Sequence, residues 1–273
     1  MRTSLAPFLA PEGFRQPGLL SLARELTVVP ESGRAALRAV SDQRDLLATP
    51  YARRAPARAT EPVLLVPGFL AGDWSLKLMS STLRRRGFRT YRSHIRSNVA
   101  CMAANALLLE RRLEAIATKR ESRVRIVGHS LGGMLARGLA VRRPDLVSGV
   151  ITMGSPLLAP GTSHPVLLTA ADTLVRLSRA GVPNLMSEDC VAGACARASF
   201  EESRAPLAPE VDLTCLYSRG DGMVDWRSCI DPLALPFEVF ASHLGMAIDP
   251  RVLDIVVRQL THQQRTEVRA VSA

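Results

Sequence analysis

One pentapeptide, Gly128-His129-Ser130-Leu131-Gly132, constrains this chain most. It follows an apolar run, Val124-Arg125-Ile126-Val127, with the composition of a buried strand. It precedes Leu131, Leu135 and Leu139, spaced as one face of a helix. A Gly-x-Ser-x-Gly between strand and helix is a nucleophile elbow. The turn is tight enough to strain the serine backbone and expose its hydroxyl. Side chains two residues either side of Ser130 would collide where helix meets strand. Glycine at 128 and 132 removes the Cβ atoms concerned, and Gly133 gives further clearance.

A serine hydroxyl at its ordinary pKa is a poor nucleophile. It needs a base, and the base needs an orienting carboxylate. In enzymes with this elbow the chain order is Ser, then Asp or Glu, then His. Of five histidines, His94 precedes the serine and His129 sits inside the elbow, pointing away from it. His164 falls early, in a Pro/Gly-rich stretch, and His262 lies in a polar run. His243 remains, on a loop just after the β-like Phe237-Glu238-Val239-Phe240. The carboxylate is expected after the preceding strand, Leu213–Tyr217, where Asp221 and Asp225 compete. Gly220 and Gly222 let the backbone turn tightly and present Asp221, which is favoured; Asp225, beside Trp226, is a candidate loop anchor.

Acyl transfer also needs N–H donors for the charge that builds on the carbonyl oxygen. One is the amide of Leu131, at a helix N-terminus where the dipole favours an anion. The second is expected on the loop after an earlier strand. Val63-Leu64-Leu65-Val66 followed by Pro67-Gly68-Phe69-Leu70 fits, with Phe69 N–H as the donor and Leu70 as its rival.

With these residues in place the chain resembles the α/β-hydrolases, within their bacterial lipase/esterase branch, and is similar to actinobacterial members mostly of unassigned substrate. The likeness rests on residues 62–69, 127–134, 151–156, 217–226 and 242–246, and spans roughly 60–262. It implies an α/β fold with a mainly parallel sheet flanked by helices. It also implies Ser130 as nucleophile, Asp221 as acid and His243 as base. Many lipases carry His-Gly where this chain has Pro67-Gly68, so any hydrogen bond from that imidazole is lost while the Phe69 amide remains. The expected activity is cleavage of small carboxylic esters through an acyl-enzyme, with no metal or organic cofactor. The alternatives are an acyltransferase on the same fold or an inactive hydrolase-like binding protein.

The domain is expected over 59–262, after a helical leader and Arg/Ala/Pro-rich linker (1–58) and before a polar tail (263–273). Strand and helix signals alternate from 63 onward, with Met102, Ala106, Leu109, Leu113 and Ile116 as the stripe of one long helix. Nearly sixty residues separate the strands near 149–153 and 213–217, too many for a loop in a compact domain. A cap is expected there, over 154–212, with Val166, Leu167, Leu174, Val182, Leu185 and Met186 as candidates to line an acyl pocket. The insertion carries no strongly amphipathic exposed helix, which favours soluble short or medium acyl esters over emulsified fat.

The formal charge is +10, almost all of it arginine, since lysine occurs only at Lys77 and Lys119. The arginines are scattered on helical patterns, few aromatics exist to stack on bases, and no nucleic-acid motif is present; no nucleic-acid partner is expected. No run reaches the eighteen or so apolar residues of a spanning helix, so no stable membrane insertion is expected. The N-terminal apolar stretch is short and Pro-broken, which favours the cytoplasm over export. Five cysteines cannot all pair within one chain. They lack C-x-x-C spacing and a histidine cluster, so zinc is not expected; in an exported chain Cys190 and Cys195 are the pair to test.

Overall fold

Strand and helix alternate from Val63 onward, as the hydrophobic periodicity predicts. The computed structural model describes the backbone of residues 5–48 and 61–271, and the side chains of 5–42 and 61–261. The linker therefore lies almost wholly outside the described residues. In chain order the elements are α1 (Val28–Ala48), β1 (Val63–Val66), α2 (Lys77–Arg85), β2 (Thr90–Arg92), α3 (Met102–Arg120), β3 (Val124–His129) and α4 (Leu131–Arg142). There follow β4 (Val147–Met153), α5 (Pro165–Arg179), α6 (Asp189–Ala192), α7 (Ala194–Glu202), β5 (Asp212–Tyr217), β6 (Leu235–Glu238) and α8 (Pro250–Val271). The expected polar tail continues α8 to Val271, and its side chains lie outside the described residues.

The six strands form one sheet in the order β2-β1-β3-β4-β5-β6, and every pairing is parallel. This is the α/β-hydrolase architecture expected from the sequence. Side chains alternate between the two faces along each strand. Leu64 and Val66 enter a core with Leu109, Leu113 and Ile116 of α3 and Leu135 and Leu139 of α4. Val63 and Leu65 face the other way, into a core with Met79 and Leu83 of α2 and Val252, Val256 and Leu260 of α8. Both faces are thus covered, which is why the inner strands read as continuous apolar runs. β6 contains Pro236, tolerated because the strand lies at the sheet edge.

The order places β2 on one side of β1 and β3 on the other. The connections therefore diverge at the carboxyl ends of β1 and β3, leaving the crevice where open parallel sheets bind ligands. Pro67–Leu70 and the elbow stand at that point. The segment between β4 and β5 folds as α5, α6 and α7, within the span expected for a cap. No described helix is long and apolar enough to cross a membrane.

Residues before the linker pack against the loops of the sheet. A 3-10 stretch, Leu19–Thr27, leads into α1, and buried Glu25 and Glu31 reach the loops after β5 and β6. Arg34 pairs with buried Asp249 at 2.6 Å.

Candidate active site

Ser130 has φ 52° and ψ −123°, a conformation that non-glycine residues adopt only under constraint. Its N–H donates to Met153 O at 2.8 Å, tying the elbow to β4. The flanking glycines are where backbones touch. A Cβ on Gly128 would lie 2.5 Å from Gly133 Cα, and one on Gly132 would lie 2.3 Å from Val66 O. Strands β1 and β3 and helix α4 meet there with no room for a methyl group.

The two candidate oxyanion donors differ from their neighbours in what they bond. The N–H groups of Phe69 and Leu131 find no acceptor among the described residues. Leu70 N–H, the rival, is occupied by Asn98 O at 3.2 Å. Asn98 also donates from its backbone N–H to Ala71 O (2.8 Å) and from Nδ2 to Pro67 O (2.9 Å). Asn105 Nδ2 donates in turn to Asn98 Oδ1 at 2.9 Å. The fully buried Asn98 is thus the pin of the Pro67–Ala71 loop. Sequence reasoning passed over it. Its one local signal is an amide between a short strand and a long helix.

Across the crevice, His243 Nδ1–H donates to Asp221 Oδ2 at 2.7 Å, and both side chains are buried. That bond fixes the tautomer and leaves the lone pair on Nε2. Asp221 Oδ1 accepts the N–H groups of Met223 and Val224 at 2.8 and 2.9 Å, so the carboxylate is held from both ends. Burial pulls the His243 pKa down. The charge of Asp221, its hydrogen bond and the charge of Glu25 more than offset this, and the net shift is upward. Asp225 turns elsewhere: it accepts from Arg15 N–H (2.8 Å) and Arg227 N–H (3.1 Å), capping the turn Trp226–Cys229. Gly154, directly after Met153, joins the two sides. A Cβ there would lie 3.1 Å from His243 Nδ1 and 3.2 Å from Asp221 Oδ2.

Three further residues hold this side; the sequence marks only His129, as the elbow residue pointing away from Ser130, and neither Glu25 nor Glu31. Glu25 Oε1 accepts the N–H of Gly222 (2.9 Å) and of His243 (3.0 Å), while Oε2 accepts that of Leu244 (3.0 Å). Glu31 accepts from Ser242 N–H at 2.8 Å and Ser242 Oγ at 2.6 Å. His129, the x residue of the elbow, donates from Nε2 to His243 O at 2.9 Å, its ring centroid 5.0 Å from that of His243. Burial and the neighbouring His243 push the His129 pKa down to about 4, so it is neutral at pH 7. Of the remaining histidines, His94 is exposed and His164 caps α5 by accepting Val166 N–H at 3.1 Å.

Ser130 opens into a largely apolar cavity of about 130 Å³. Leu167, Leu168 and Met186 of the cap line it together with Met134 of α4, and Leu5 and Leu9 reach it from the N-terminal segment. Of the six expected lining residues, Leu167 and Met186 face it, and half-buried Leu185 does not. Val166 and Val182 are exposed, and Leu174 packs inside the cap. The one group of three metal-ligating side chains among the described residues consists of cysteines in the wall region and includes neither His243 nor Asp221.

The family profile described as alpha/beta hydrolase fold matches residues 112–185, from α3 through the elbow into the cap. Among solved structures, the mature Bacillus licheniformis lipase BlEst2 aligns with a TM-score of 0.61 at 15% identity, covering 77% of this chain and 96% of that one. A Paleococcus ferrophilus monoacylglycerol lipase aligns at 0.51 and 17% identity, over 75% and 96%. A chain from the metagenome-derived lipolytic enzymes LipS and LipT aligns at 0.52 and 16%, over 75% and 93%. The parallel six-stranded sheet and these likenesses show the α/β-hydrolase fold.

Proposed function

We propose that this protein is a serine hydrolase that cleaves carboxylic esters of short to medium acyl length. The observation that carries the reading is the 2.7 Å bond from His243 Nδ1 to Asp221 Oδ2 beside the elbow. It leaves Nε2 of a buried imidazole to act as base. Ser130 Oγ attacks the ester carbonyl as Nε2 takes its proton. The oxyanion of the tetrahedral intermediate accepts from the idle N–H groups of Phe69 and Leu131. The C–O bond breaks, the alcohol leaves with the proton from His243, and an acyl group remains on Ser130. Water then repeats the sequence, giving up a proton to His243 and releasing the acid and free Ser130.

The acyl group is assigned to the cavity at Ser130. At about 130 Å³ it approaches the roughly 150 Å³ engineered void that accepts a benzene, which suits a short chain. The structural neighbours named above, lipases and lipolytic enzymes, agree with this chemistry, and the bacterial lipase/esterase branch is the proposed placement.

The test is a p-nitrophenyl ester series together with a fluorophosphonate probe. We expect turnover that falls as the acyl chain lengthens, and a single label on Ser130. Ser130→Ala should abolish labelling and lower kcat by on the order of 10⁶. No label and no turnover at any chain length would refute the proposal.

A further inference from the structure

Three cysteines from three helices meet beside the cavity. Cys101 is the N-cap of α3, Cys190 lies in α6 and Cys195 in the first turn of α7. Their Sγ atoms all lie within 4.8 Å of one another, and those of Cys101 and Cys195 are 3.5 Å apart. All three are free thiols. A disulfide would need a separation of about 2.05 Å. Sulfurs sharing one cation at about 2.3 Å, by contrast, stand roughly 3.8–4.0 Å from each other. The cluster therefore has the dimensions of a ligand set.

We propose that Cys101, Cys190 and Cys195 bind one thiophilic d¹⁰ cation, either Cu(I) in a trigonal site or Zn(II) with a fourth ligand from solvent. The donor set carries the choice. It is all sulfur, with no carboxylate or imidazole in the group, and soft thiolates select these ions over Mg²⁺ or Ca²⁺. Each thiol that coordinates releases its proton to solvent. The N-terminus of α3 favours the resulting negative charge at Cys101. The surroundings are apolar: Val175, Val191, Leu5 and Phe69 pack in the same cluster. Ser187 Oγ lies 3.5 Å from Cys190 Sγ, and Cys195 N–H donates to Asp189 Oδ1 at 3.3 Å, orienting two of the ligands. A bound cation would tie the α6–α7 part of the cap to α3. Cys190 also lines the cavity, so the same bond would fix one of its walls.

The full chain is reduced with a phosphine under nitrogen, freed of reductant, and titrated with Zn(II) and with Cu(I) against chromophoric chelators. Co(II) serves as a spectroscopic stand-in. The expected result is one equivalent of Zn(II) or Cu(I), a sulfur-to-cobalt charge-transfer band, and a higher melting temperature for the loaded chain. Cys195→Ser should weaken binding tenfold or more, and Cys215→Ala, outside the cluster, should leave the stoichiometry at one. Cys101→Ser gives the same loss if it folds, and Cys195→Ser suffices if it does not. Absence of stoichiometric uptake of both ions overturns the proposal, as does binding indifferent to Cys195→Ser. So does a native Cys101–Cys195 or Cys190–Cys195 disulfide in air-isolated protein whose reduction restores no uptake.

Discussion

The two sides of the crevice are built by different means. On the elbow side, position follows from neighbours in sequence: β3, Ser130 and α4 are continuous, and bare backbone at Gly128 and Gly132 sets their approach. On the candidate acid–base side, Asp221 and His243 stand on loops, and those loops are held by carboxylates about two hundred residues away. Glu25 and Gly222 are 197 positions apart, and Glu31 and Ser242 are 211 apart. A local turn can be specified by a short motif. Two loops that must face each other need an outside clamp, and here the N-terminal segment supplies it.

The largest expected effect lies within the acid–base side. Asp221→Asn should lower kcat by about 10⁴, as in the worked serine triad, because the amide no longer selects the right tautomer of His243. Asp225→Asn should cost far less activity. Its bonds run to Arg15 and Arg227, so its loss should show as a lower melting temperature. Kinetics and thermal melts on both folded variants decide this. A larger kcat loss in Asp225→Asn would reverse the assignment.

His129 crosses from the elbow to the His243 loop, and it sharpens the comparison through pH. Its folded pKa of about 4 lies below the ordinary 6.5, so the unfolded chain takes up that proton first. Stability should therefore fall as pH drops from about 6.5 to 4, by roughly 3 kcal/mol. His243 has the opposite sign: its folded pKa is raised, so its contribution is complete below 6.5 and fades only as pH rises through the folded value. The depressed carboxylates Asp145 and Asp249 act below their ordinary 3.8. Urea unfolding between pH 4.5 and 7 should show this slope in the native chain and lose it in His129→Gln. An equal slope in both would remove His129 from the account.

The same contrast explains what was legible in the sequence. Strands β1 and β3, the stripe of α3 and the elbow glycines carry periodic or steric signals within a dozen residues, and single-chain reasoning reaches them. Chain order and turn chemistry narrow the candidates to Asp221 and His243, and the structure brings those two side chains within a hydrogen bond. Glu25, Glu31 and Asn98 carry no such mark. Each resembles an ordinary surface or loop residue until the fold buries it against backbone N–H or C=O groups that no local pattern pairs with it. The leader reading failed to anticipate their packing for that reason. Length alone marked the segment between β4 and β5 as more than a loop, and it folds as α5, α6 and α7. Which of its apolar residues face the cavity depends on how α5 and α6 dock.

The last prediction asks whether the distant clamp tunes chemistry or only holds the fold. Glu25 takes three backbone N–H groups, two of them on Gly222 and His243, next to and within the candidate pair. Glu25→Gln retains a carbonyl oxygen for Gly222 and His243, removes the charge, and sets an NH₂ against Leu244 N–H. With about 1.5–3 kcal/mol attached to a hydrogen bond at a charged group, kcat should fall about tenfold or more while KM stays near its native value. The charge of Glu25 helps raise the His243 pKa, so its removal should move the acid limb of the kcat profile to lower pH. Glu25→Ala leaves all three N–H groups unsatisfied and should lower the melting temperature further. A positioning residue changes both kcat and the pH limb in the Gln variant. A change in melting temperature alone would reduce Glu25 to a structural clamp, and the two sides of the crevice would then differ in how they are built but not in how their chemistry is set.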